Sequence, residues 1–128
     1  MFVNDLENNR TVDLDTGAEL RRVFRGGGED DRPDTFVLTI DGARITFQAR
    51  RNNIKNPENG LDALRWRVGW LGVGDQIRNI PPYNFRSQDE RRQVEATIAD
   101  ALRVYRTFLG QDTRPVLEVV FVPAQEWK

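Results

Sequence analysis

The chain has 128 residues, of which 38% are hydrophobic and 30% charged, and its formal net charge is −1. These totals fit one domain over residues 1–128, which at this length buries about two-thirds of the surface that its unfolded chain exposes. No apolar run approaches the roughly 20 residues of a membrane-spanning helix. Residues 1–10 lack the apolar segment of a secretion signal, so the expected location is the cytoplasm.

The sequence contains no cysteine and no histidine. Without cysteine, the chain has no disulfides, thiolate nucleophiles or iron–sulfur clusters. Without histidine, it lacks the commonest general base and the commonest transition-metal ligand. We therefore expect neither a cofactor nor a metal site. No residue stands out as catalytic, and the composition favours a protein that is not an enzyme.

The first part of the chain predicts short strands separated by turns. Asn8-Asn9 and Asp15-Thr16-Gly17 have the composition of turns. Strands are expected on both sides of the first turn and again over Glu19–Phe24. Residues 25–34 contain three consecutive glycines followed by an acidic stretch, a composition that predicts a mobile loop.

Asp41-Gly42 predicts a two-residue hairpin turn between strands over Thr35–Ile40 and Ala43–Arg50. A two-residue turn pairs Ile40 with Ala43, and this register places every second residue of both strands on one face. The residues of that face are all apolar: Phe36, Leu38, Ile40, Ile45, Phe47 and Ala49. Turn chemistry and hydrophobic pattern agree.

After a loop expected over residues 52–60, residues 63–71 alternate again and predict a strand. Arg65 and Arg67 fall on one face. The opposite face carries Leu64, Trp66, Val68 and Trp70. Because aromatic side chains dominate the cores of small domains, both tryptophans are expected to be buried.

Residues 87–110 predict one long helix. Ser87 and Glu90 form a capping box, and Gly110 is placed to end the helix. Apolar residues recur at helical spacing: Val94, Ile98, Ala101, Leu102, Tyr105 and Leu109. Residues 116–122 are apolar apart from Glu118, which predicts a central strand covered on both faces, with Glu118 exposed or paired with an arginine.

The expected fold is therefore α+β, with a mostly antiparallel sheet of about five to six strands packed against the helix at 87–110. The strand at 116–122 follows the helix. Strand order in the sheet does not follow from the sequence.

Asp15-Thr16-Gly17-Ala18 resembles the active-site turn of retroviral-type aspartic proteases, in which two subunits each contribute one aspartate. The resemblance implies a carboxylate-dependent hydrolase that uses Asp15. The alternative is an aspartate-initiated turn whose side chain bonds to nearby backbone. Asp13 favours this alternative, because apolar residues precede the aspartate in that family.

Aromatic and arginine side chains alternate between residues 65 and 86, a composition typical of protein-binding hot spots. The candidate binding residues are Arg65, Arg67, Trp70, Arg78 and Tyr83. This segment favours a non-catalytic module that binds another protein or a second copy of itself. By analogy, small bacterial proteins that act in this way include inhibitors of the immunity or antitoxin type, adaptors and assembly subunits.

Nucleic-acid binding through the basic segment 44–78 is the alternative from another class. It requires the following residues on one sheet face: Arg44, Arg50, Arg51, Lys55, Arg65 and Arg67. The chain has 17 arginines and two lysines. This excess fits codon bias as well as anion recognition.

Overall fold

The computed structural model describes residues 1–24, 26, 33–69, 85–105 and 114–122. These residues form seven strands and one helix. In chain order they are β1 (Phe2–Asp5), β2 (Arg10–Asp13), β3 (Glu19–Phe24), β4 (Asp34–Ile40), β5 (Ala43–Lys55), β6 (Asp62–Val68), α1 (Gln88–Val104) and β7 (Val116–Phe121).

All seven strands belong to one sheet, and their order in space is their order in the chain. Neighbours from β1 to β6 are antiparallel, whereas β6 and β7 are parallel. The mostly antiparallel α+β fold is confirmed. Five to six strands is too low a count, because β1 and β2 pair along their whole length despite having four residues each.

The β4–β5 hairpin has the register that its sequence predicts, with Phe36 opposite Phe47 and Ile40 opposite Ala43. Asp41 and Gly42 have φ angles of 48° and 79°, and positive values at both turn positions characterise a type I′ turn. β5 is longer than expected. It continues to Lys55 because β6 pairs with it as far as Asp62, so the loop prediction for residues 52–55 is wrong.

Helix α1 begins at the predicted cap and ends earlier than predicted. The Ser87 hydroxyl accepts the amide of Glu90 at 3.1 Å, while the Glu90 carboxylate accepts the amide of Arg86 at 2.9 Å. The backbone turns extended at Tyr105 (φ −54°, ψ 131°), so the helix does not continue to residue 110. Residues 106–110 lie outside the described part of the chain.

The early end of α1 is explained by contacts at its last turn. The Asn4 side-chain amide of β1 donates to the Val104 carbonyl at 2.9 Å, which satisfies one of the carbonyls that a helix end leaves unpaired. Tyr105 is 2% exposed. Within the described residues, no helix has the length and apolar character needed to cross a bilayer.

The core lies between α1 and one face of the sheet, called the inner face. Phe36 is at its centre, stacked on Phe47 at 5.4 Å between ring centroids and edge-to-face with Trp66 at 5.7 Å and Tyr105 at 5.2 Å. The helix contributes the buried side chains Val94, Ile98, Ala101 and Leu102. It contacts β1, β2 and β7, so the sheet curls and its two ends flank the helix.

β7 is an edge strand, not the central strand that its apolar sequence predicts. It is last in the sheet order and pairs with β6. Its inward side chains Val119 and Phe121 stay partly exposed, whereas their β6 neighbours Trp66 and Val68 are 1% and 0% exposed. Here the apolar sequence belongs to an edge strand that contacts the helix through its inner face only.

The predicted loop at residues 25–34 is described at three positions, and the remainder lies outside the described residues. Asp34 is the first residue of β4, and its carboxylate accepts the amide of Gly26 at 2.6 Å. Asp34 also faces Arg22 of β3, with 3.7 Å between Oδ2 and Nη1, and both side chains are largely buried. This pair ties the base of the loop to the inner face.

We expect Phe47→Ala to destabilise the fold by about 3–5 kcal/mol and Leu102→Ala by about 2–5 kcal/mol, because each removes a fully buried side chain. Leu14→Ala is the control. Leu14 is 72% exposed, so its truncation should change stability by less than about 0.5 kcal/mol. Urea unfolding midpoints measure all three, and equal midpoints for Leu14→Ala and Leu102→Ala would contradict the packing.

Candidate functional site

Two of the five predicted binding residues are described, and both lie on the outer face, the side of the sheet opposite α1. Arg65 and Arg67 alternate along β6 with the core residues Leu64, Trp66 and Val68. The burial predicted for Trp66 is confirmed. Trp70, Arg78 and Tyr83 lie outside the described residues.

The outer face of β5 and β6 carries four of the six arginine and lysine residues that the nucleic-acid hypothesis requires. Arg50 lies directly opposite Arg67, and the next outer-face residue of β5, Asn52, lies opposite Arg65. Arg44 lies near the start of β5. The expectation that all six share a face is wrong. Side chains alternate along a strand, so Arg51 and Lys55 lie on the inner-face side of β5.

Glu118 forms an ion pair with Arg65 of the neighbouring strand, as expected for an acidic residue in an apolar strand. The two side chains are about equally exposed, at 42% and 41%. At this exposure the pair contributes between 0 and about 1 kcal/mol. Its main effect is to neutralise the single charge of β7.

The backbone of β7 presents unpaired groups on the side away from β6. The Val122 amide donates to the Val68 carbonyl at 2.9 Å, so Val122 and Val120 direct their peptide groups towards β6. Peptide groups of successive residues point in opposite directions along a strand. Those of Val119 and Phe121 therefore point outwards, and no described residue pairs with them.

The side chains of this edge are apolar as well. Leu117 is 38% exposed, and Val119, Val120 and Phe121 are partly exposed. Natural sheets usually protect edge strands with charged side chains, above all lysine, or with proline, a bulge or very short length. The one charged residue of β7, Glu118, is paired with Arg65. β7 has six residues with neither lysine nor proline, and its register irregularity is confined to the start of the strand, near Leu117. Among the described residues, the segment from Glu118 to Phe121 is therefore an unprotected edge.

β1, at the opposite end of the sheet order, is protected in the usual way. It has four residues. Asn4 bonds to the end of α1, and Asp5 pairs with Arg10 at 2.9 Å. The two edges of the sheet thus differ, and only β7 offers a regular apolar edge in the described part of the chain.

A row of ion-paired side chains crosses the outer face of β1, β2 and β3. Arg10 contacts both Asp5 and Glu19, at 2.9 and 2.8 Å, and Arg21 contacts Glu19 at 2.7 Å. Hydrogen bonds from Arg21 and then Arg10 lower the pKa of Glu19 below its ordinary value of 4.5. Hydrogen bonds from Asn8 and then Arg10 likewise lower the pKa of Asp5. These acids are held as carboxylates and serve to join strands.

Asp15 lies in a turn and is 80% exposed. The side chain that organises this turn is Asp13, whose Oδ1 accepts the amides of Asp15 at 2.8 Å and Thr16 at 3.4 Å. The turn closes at Gly17, where φ is 78°. An aspartate-initiated turn is thus present, but Asp13 initiates it, not Asp15 as the motif predicts. An exposed Asp15 lacks the enclosed setting in which two carboxylates share a proton.

A small pocket lies between the β4–β5 turn and the first turns of α1. It is lined by Ile40, Asp41, Ala43, Arg86, Glu90, Gln93 and Val94. Glu90 is already occupied, since it accepts from both the amide and the side chain of Arg86. The pocket has mixed charges, and one of its two acids, Glu90, is used for capping, while the other, Asp41, lies in the hairpin turn.

The β7 edge is the candidate site that the sequence interpretation missed. A detectable signal was present, because a strand, a helix and a strand follow one another from residue 62 to residue 121. Such a unit joins parallel strands. Because β5 already occupies one side of β6, a strand that joins β6 in parallel takes its free side at the edge of the sheet.

We expect Glu19→Gln to destabilise the protein at neutral pH by at most about 1 kcal/mol. A lowered folded-state pKa contributes stability that is complete above the unfolded pKa and is lost as the pH falls through the folded value. The deficit relative to wild type should therefore shrink below about pH 4.5. Urea unfolding from pH 7 to pH 3 measures it, and a deficit independent of pH would contradict the pairing.

Comparison with protein-family models, curated proteins and solved structures finds no match to this chain. Any proposal about its function therefore rests on the residues of the chain itself.

Proposed function

We propose that the protein is a non-catalytic interaction module that binds another protein by adding a strand to the β7 edge. The observation that carries this proposal is the unprotected apolar edge, with the peptide groups of Val119 and Phe121 directed away from β6. In strand addition, main-chain hydrogen bonds supply affinity and alternate side chains supply specificity.

The surroundings of the edge define the kind of segment that fits. On the inner-face side, Val119 and Phe121 offer partly exposed apolar surface. On the outer face, Arg67 lies beside Val120 and opposite Arg50. The best-matched occupant is an extended segment that is apolar on one side and carries a carboxylate on the other.

Four acids on the strands of the sheet support binding rather than catalysis. Asp5, Glu19, Asp62 and Glu118 each pair with a lysine or arginine. Hydrogen bonds to the carboxylates of Asp5, Glu19 and Asp62 lower the pKa of each away from neutral pH, which makes these three acids poor general bases. Inhibitors, adaptors and assembly subunits act through such surfaces. A cytoplasmic location remains a prediction from the sequence.

Val119→Pro should abolish partner binding, while Val119→Ala should retain it. Both remove the valine side chain, but only proline removes the outward-facing amide, and proline is tolerated at an edge position whose amide does not pair. A photo-crosslinking amino acid at the exposed position 117 reports binding in cell extract. The expected result is a crosslinked species with Val119→Ala that is missing with Val119→Pro.

Thermal melts of both variants establish that each is folded before the crosslinking is compared. A second control places the same photo-crosslinking amino acid at Leu14, which is exposed and lies in the β2–β3 turn. Equal crosslinking by Val119→Pro and Val119→Ala would rule out strand addition at β7. Crosslinking from position 14 that matches that from position 117 would show non-specific contact.

Nucleic-acid binding is the second candidate, favoured by Arg44, Arg50, Arg65 and Arg67 on one face. Glu118 offsets part of this charge through its pair with Arg65. If the face binds a polyanion, the protein should be retained on heparin, and Arg50→Gln with Arg67→Gln should lower the salt concentration of elution. Elution of the wild type in low-salt buffer would exclude this candidate.

A further inference from the structure

We propose that the strand added at the β7 edge is β7 of a second copy, paired antiparallel about a two-fold axis that passes beside Val120. The inference rests on the proposed function, since it requires the β7 edge to be a protein-binding site. It adds the identity of the occupant and the register in which it pairs.

The hydrogen-bond pattern favours this register. The outward-facing peptide groups belong to Val119 and Phe121 and are separated by one residue. An axis at Val120 places Val119 of each copy opposite Phe121 of the other. In an antiparallel sheet such a pair exchanges two N–H···O bonds. The two symmetric pairs therefore supply four hydrogen bonds and satisfy every outward group from residue 118 to residue 122.

The side chains also match in this register. On the outer face, Val120 meets Val120 of the second copy, and Val122 meets Glu118. On the inner-face side, Val119 meets Phe121. The Val120–Val120 and Val119–Phe121 pairs are apolar, and such cross-strand pairs each contribute a few tenths to about 1 kcal/mol. Glu118 keeps its ion pair with Arg65 of its own chain.

Neighbouring registers fit less well. An axis at Glu118 would place two carboxylates directly opposite each other, which destabilises a strand pair. An axis at Val119 would pair Phe121 with Leu117, which lies where the β6–β7 register shifts. The axis at Val120 confines all pairs to the regular segment of the strand, residues 118–122.

In this register the outer-face charges stay with their own chains, because Glu118 of each copy faces Val122 of the other copy and pairs with its own Arg65. A two-fold contact also uses both β7 edges at once, so it closes at a dimer rather than extending into a fibre.

Single-cysteine variants test the register directly, because the chain contains no cysteine. Directly opposed residues of a non-hydrogen-bonded antiparallel pair have Cα atoms about 4.5 Å apart, within the range of a disulfide. Val120→Cys should therefore form a disulfide-linked dimer under mild oxidation. Val122→Cys is the matched control, since its two copies would be about 13 Å apart. A mixture of the Glu118→Cys and Val122→Cys proteins should form a disulfide-linked dimer, because these two positions face each other in the proposed register.

Sedimentation of the reduced proteins supplies an independent measurement. Wild type should dimerise with increasing concentration. Val120→Lys should be monomeric, because two ammonium groups would meet at the axis. The control Val3→Lys, on the outer face of β1, should still dimerise. Far-ultraviolet circular dichroism establishes that each variant is folded. A wild type that stays monomeric, or equal crosslinking by Val120→Cys and Val122→Cys, would overturn the proposal.

The two proposals fail differently. If wild type is monomeric while the photo-crosslink from position 117 to another protein is still lost with Val119→Pro, strand addition stands and the second copy is the wrong occupant. If neither a dimer nor a proline-sensitive crosslink is found, the β7 edge is not a binding site and both proposals fail.

Discussion

The aromatic cluster around Phe36 is the contact on which the remaining structure depends. Phe36 and Phe47 join β4 to β5, Trp66 extends the cluster to β6, and Tyr105 connects it to the end of α1. Edge-to-face ring pairs contribute beyond their buried area. Because Tyr105 is buried there, the chain leaves the helix at that point, and this end of α1 is where Asn4 of β1 attaches.

This arrangement separates the side chains that are engaged in the fold from the β7 edge. The inner face is occupied by α1, and the acids Asp5 of β1 and Glu19 of β3 are paired with arginines. The β7 edge differs, since it carries apolar side chains and outward-directed peptide groups together. We infer that binding, where it occurs, uses backbone as much as side chains.

Local patterns predicted the elements well and their arrangement less well. The Asp41-Gly42 turn determines the β4–β5 register by itself, and Ser87 determines the start of α1, because both act over a few residues. The end of α1 depends on Tyr105 and Asn4, which lie about 100 residues apart in the chain. The position of β7 depends on how the helix crosses the sheet, which hydrophobicity does not encode: an apolar run is compatible with a central strand and with an unprotected edge.

The strand order has a consequence for how the fold is assembled. From β1 to β6, each strand pairs with the one that precedes it, so these contacts close short loops at small entropic cost. β7 reaches β6 only after the chain has passed through α1. Among the strand pairings, docking of β7 therefore closes the longest loop, and as an edge strand β7 can be released without breaking any other strand pair. Amide hydrogen exchange should then be faster in β7 than in the other paired strands. The proposed binding strand would therefore also be the strand that detaches most easily.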